Sequence, residues 1–75
     1  MIRINVKKDG KITVKSFISK IDLTGYVLDF IGGGETQKTA DKIWELNVGT
    51  SIIHNGYTIA MAGKSRAGNV MYGGQ

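Results

Sequence analysis

Eleven glycines and no proline punctuate this chain of 75 residues, and that punctuation limits its fold more than any other feature. Glycine supplies the positive φ that tight turns and bulges require, so the chain favours several short elements over long helices. Two of the glycines complete turn pairs, Asp9-Gly10 and Asn55-Gly56. Each pair is flanked by residues that alternate between apolar and polar, the pattern of half-buried strands.

Asn55-Gly56 is the preferred pair for a two-residue type I′ turn. It sets His54 opposite Tyr57, Ile52 opposite Ile59 and Thr50 opposite Met61, and gathers the apolar residues on one face. For the first hairpin, residues 2–6 against 12–16, two registers compete. A two-residue loop at Asp9-Gly10 opposes residues whose numbers sum to 19, which faces Val6 with Thr13. A three-residue loop, Lys8-Asp9-Gly10 with a glycine bulge at Gly10, opposes Val6 with Ile12, Ile4 with Val14 and Ile2 with Ser16. Because a slip of one residue turns every side chain over, the register that keeps Ile2, Ile4, Val6, Ile12 and Val14 together is the expected one.

Between the hairpins, Leu23, Tyr26, Val27, Phe30 and Ile31 fit a helical stripe, with Asp22 as N-cap and Gly32 as stop. The residue types in Tyr26–Ile31 equally suit a strand. Thr36 to Asn47 reads as a helix with Ala40, Ile43, Trp44 and Asn47 on one stripe, Thr36 or Thr39 as cap and Gly49 past its end. The expected fold is therefore α+β, a small antiparallel sheet of two β-hairpins with one central helix, all in one domain over residues 1–75. Residues 63–75 read as a Gly-rich C-terminal tail. An all-β barrel of SH3-like or OB-like type is the alternative that the glycine count favours.

A chain of this length buries only about 60% of its unfolded surface, so its stability margin is thin. Without cysteine it has neither disulfides nor thiolate metal sites to help. The first residues lack the apolar run of a signal peptide, and no apolar stretch approaches the roughly 20 residues that span a bilayer. The expected setting is the cytoplasm.

The net charge of +4 is unevenly placed. The first twenty residues hold Arg3, Lys7, Lys8, Lys11, Lys15 and Lys20 against only Asp9, whereas the remainder holds four basic residues against five acidic ones. In the expected register, Arg3 opposes Lys15 and Lys7 opposes Lys11. The outer face of the hairpin then carries Arg3, Asn5, Lys7, Lys11, Thr13, Lys15 and Phe17 and no acid. Such a face can serve solubility alone, but like charges directly opposed across a sheet cost a fraction of a kcal/mol per pair. An anionic partner would offset that cost.

The function expected is therefore that of a non-enzymatic binding protein of accessory or regulatory type. Its contact residues would be Arg3, Lys7, Lys8, Lys11, Lys15, Phe17 and Lys20, and its foremost partner nucleic acid, with phosphates on the cations and a base on Phe17. The alternative is a protein–protein module, a stoichiometric inhibitor or assembly subunit, docked on an acidic protein surface. Lys64, Arg66, Met71 and Tyr72 are secondary partner-binding candidates, and self-association is a further option. No catalytic residue, metal or cofactor is expected. Residues 32–39 resemble a phosphate-binding P-loop, but Gln37 stands where its second glycine belongs and the chain has no room for the parallel sheet that carries it. His54 is the only histidine and reads as a surface residue beside a turn.

Overall fold

The computed structural model describes residues 1–65. Strands β1 (Ile2–Lys8) and β2 (Lys11–Phe17) form the first hairpin, and β3 (Ser51–His54) and β4 (Tyr57–Lys64) the second. Helix α1 (Lys20–Tyr26) continues into a π-helical turn over Val27–Ile31, and α2 (Thr36–Glu45) follows. The strands make one antiparallel sheet in the order β2-β1-β4-β3. This is the expected small α+β fold, with two helices between the hairpins. Among the described residues no helix is long and apolar enough to cross a membrane.

The second hairpin has the expected register, His54 with Tyr57 and Ile52 with Ile59, closed by Asn55 (φ 51°) and Gly56 (φ 80°). The first does not. It closes through Asp9 (φ 53°) and Gly10 (φ 80°), and its pairs run from Lys8 with Lys11 to Ile2 with Phe17. Both turn residues have the positive φ of a two-residue type I′ turn, a conformation glycine adopts at no steric cost. The three-residue loop is therefore corrected, and the reason lies at the far end of the strand. Val6 now faces Thr13 and Ile4 faces Lys15, but Phe17 comes opposite Ile2 and is buried at 7% exposure. Ile12 and Val14 pass to the other side, at 63% and 58% exposure. Burying a phenylalanine stabilises by roughly 2 kcal/mol. At the sheet edge, beyond the reach of the helices, Ile12 and Val14 would gain much less on either face.

The core lies between the sheet and the helices. Ile2, Ile4 and Val6 of β1 and Ile59 and Met61 of β4 meet Leu23, Val27 and Ile31 above α1 and its π-turn, together with Ala40 and Ile43 of α2. The four-residue spacing of Leu23, Val27 and Ile31 drifts around an α-helix of 3.6 residues per turn. The wider π-turn, closed by the Gly32 amide donating to the Val27 carbonyl at 2.8 Å, takes up that drift and returns Ile31 to the core. The helical reading of this stretch holds, with Ser19 rather than Asp22 as its cap. The Ser19 hydroxyl accepts from the Asp22 amide at 3.3 Å. Helix α2 ends at Glu45, before the expected Asn47, and starts after left-handed Glu35 without a side-chain cap.

The Gly32–Gly34 loop packs on the second hairpin. Asn55 Nδ2 donates to the Ile31 carbonyl at 2.6 Å, and His54 Nε2 lies 3.1 Å from the Gly34 carbonyl oxygen. A Cβ on Gly33 would stand 2.7 Å from that of Asn55, so only glycine allows this approach. A helical turn precedes the loop, where a P-loop needs a strand.

Candidate functional site

Opposed residues in an antiparallel pair point to the same side, so the observed register divides the hairpin cations. Lys8, Lys11 and Lys15 project to the helix side with Val6 and Ile4, and Arg3 and Lys7 to the open side with Ile12, Val14 and Ser16. The single basic face of the expected register does not exist. Of its like-charge pairs neither forms, and Lys8 opposite Lys11 takes their place.

On the helix side, β2 extends beyond the helical layer and every residue of it except Phe17 is exposed. The overhang leaves a cleft of about 310 Å³ lined by Val6, Lys8, Asp9, Lys11, Thr13, Phe30 and Tyr57. Phe30, on the π-turn, is 58% exposed. Lys8 Nζ lies 4.3 Å from the centre of the Tyr57 ring. Lys15 continues the cleft along β2, with Nζ 5.6 Å from the Tyr26 ring centre. Tyr26 stacks on Phe30 with centroids 5.1 Å apart and meets Phe17 at 5.2 Å. Two lysines, Lys8 and Lys11, thus line one cleft with Phe30, Tyr57 and Asp9, and Lys15 stands beside it over Tyr26.

Tyr26 anchors this row from below. Its hydroxyl is buried without a hydrogen-bond partner. Burial raises its pKa, and nearby Tyr57 adds to the rise.

The other expected contact residues lie elsewhere. Phe17 is in the core and cannot stack on a ligand. Lys20 donates to Asp41 at 3.0 Å, and that hydrogen bond holds the Asp41 carboxyl below its usual pKa. Lys64 pairs with Ile2 at the end of the sheet opposite the cleft. Arg66, Met71 and Tyr72 lie outside the described residues. The residues that sequence reasoning left in the core, and that belong to the cleft, are Phe30 and Tyr57. Local spacing did not single them out, since Phe30 falls in the same apolar stripe as Leu23, Val27 and Ile31.

Charge is also layered. Among the described residues no strand contains an acidic residue, while the strands hold Arg3, Lys7, Lys8, Lys11, Lys15 and Lys64. The segments between the hairpins hold Asp22, Asp29, Glu35, Asp41 and Glu45. Among the described residues no three His, Cys, Asp or Glu side chains gather as a metal site would require. Compared with protein-family models, curated proteins and solved structures, the chain matches none of them.

Proposed function

We propose that the protein is a non-catalytic, cytoplasmic accessory protein that binds single-stranded nucleic acid in the cleft between its first hairpin and its helical layer. The observation that supports this reading is the convergence of Lys8 and Lys11 with exposed Phe30 and with Tyr57 in one cleft, with Lys15 beside it over Tyr26. Sequence-tolerant binding of single strands uses these two components. Cations follow the phosphates, and bases stack on aromatic faces. Thr13 adds a hydroxyl beside the cations. A phosphate between Lys8 and Lys11 also relieves the repulsion built into that pair. Stacking and phosphate contacts tolerate any base, so the expected preference is for single strands and not for one sequence.

Fluorescence anisotropy with a short labelled oligonucleotide tests this. Three neutralised phosphates on a single strand give log K a slope of about −2 against log salt. Phe30→Ala weakens binding by about 1–3 kcal/mol, the range for loss of one stacked base. Absence of binding at low salt, or binding that salt does not weaken, rejects the proposal.

A further inference from the structure

The side of the sheet that faces away from the helices has no cover among the described residues. Ile12, Val14 and Ile53 are exposed there, Ile53 at 76%. Arg3 and Lys7 stand among them, with no acid on any strand of the described residues. The far side of the molecule carries a second uncovered stripe. Ile18, Ile21 and Leu28 are each at least 63% exposed. Ile21 and Leu28 share the face of α1 and its π-turn opposite Leu23 and Val27 with exposed Asp22 and Asp29, and Ile18 lies two residues before α1. The one base of residues 18–29, Lys20, is engaged by Asp41.

The two surfaces match in kind and scale. Each offers three aliphatic side chains and two charges, positive on the sheet and negative on the helix. Arg3 and Lys7 are four strand residues apart, about 13 Å. Asp22 and Asp29 are seven helical residues apart, about 10 Å. Long arginine and lysine side chains span the difference. The molecule measures 36 × 25 × 15 Å, so roughly 900 Å² (36 by 25 Å) is the most that either broad face can contribute. A standard stable interface buries about 800 Å² per partner.

From this we infer that the chain associates head to tail with further copies of itself, the open sheet face of one seated on the outer α1 stripe of the next. A sheet face against another sheet face would instead bring Arg3 and Lys7 against their own kind. Head-to-tail contact uses two different patches, so growth does not stop at a dimer and leads to a chain or a closed ring. The inference is independent of the nucleic-acid reading, since it uses neither Lys8, Lys11 and Lys15 nor the aromatic row.

Sedimentation velocity on the full chain, from low micromolar to near-millimolar concentration, tests it. The wild type is expected to grow past dimer as concentration rises and to shrink with added salt. Arg3→Glu/Lys7→Glu and Asp22→Lys/Asp29→Lys should each remain monomeric, and an equimolar mixture of the two should associate again, because every contact then pairs opposite charges. Circular dichroism checks that each variant is folded. Ile53→Ser and Ile21→Ser, one on each surface, should each weaken association at least tenfold and provide a test that leaves charge untouched. A wild type that stays monomeric, a symmetric dimer as end point, a mixture that stays monomeric, or serine variants that associate like the wild type would each overturn the inference.

Discussion

Single side chains set the boundaries of the account. Tyr26 buries a hydroxyl that nothing satisfies, and a buried unpaired polar group costs about 1–3 kcal/mol. Tyr26→Phe is therefore expected to leave stability unchanged or raise it by about 1 kcal/mol in urea unfolding, since the stack on Phe30 and the contact with Phe17 persist. The raised pKa of Tyr26 gives this a pH signature. A group whose pKa is raised by folding contributes fully below its unfolded pKa, near 10 for tyrosine, and loses that contribution as pH rises through the folded value. The wild type should thus lose stability above about pH 10 more steeply than Tyr26→Phe. A parallel decline in the two proteins would show that Tyr26 ionises as freely in the folded state as in the unfolded. At Gly33 the constraint is steric. Its φ of 88° and the Cβ distance of 2.7 Å to Asn55 predict that Gly33→Ala costs about 1–3 kcal/mol, read as a lower melting temperature.

At the scale of elements, the hairpin register decides which residues can act together. Phe17→Ala is expected to cost about 3 kcal/mol, whereas Ile12→Thr and Val14→Thr should each change stability by no more than about 0.5 kcal/mol. The opposite ranking, measured by chemical denaturation, would restore the three-residue loop. The second hairpin was legible because Asn55-Gly56 and the alternation around it agree. In the first they conflict, and counting apolar residues between Ile2 and Val14 gave the wrong answer. That count omitted Phe17 and treated β2 as equal to β1, although an edge strand that overhangs the helices gains little from turning Ile12 and Val14 inward. The helical character of Lys20–Ile31 was half legible. Its stripe was visible, but the strand-forming residues of Tyr26–Ile31 masked it, and the π-turn that seats Ile31 depends on packing against the sheet. The cleft was illegible as a site, because its cations come from one hairpin and its exposed ring from a helical turn whose placement no local pattern states.

On the scale of the whole molecule, six of the nine described lysines and arginines sit on the strands, while Lys20, Lys38 and Lys42 stand among the acids of the helical layer, Lys20 beside Asp41. Asp41, with its lowered pKa, contributes above the ordinary carboxylate pKa and loses that contribution as pH falls through the folded value, so Asp41→Asn should flatten the acid limb of a stability–pH curve slightly. The proposed consequence is a division of labour between two surfaces of one hairpin, with Lys11 and Lys15 at the cleft and Arg3 and Lys7 on the open sheet face. A titration of one short oligonucleotide, long enough to fill a single cleft, against two charge-reversed proteins tests that division most directly. Lys11→Glu/Lys15→Glu is predicted to abolish binding, while Arg3→Glu/Lys7→Glu, with the same change in net charge, keeps affinity within a few-fold of the wild type. Equal losses in the two variants would mean that net charge alone attracts the ligand, and would contradict the cleft as its seat.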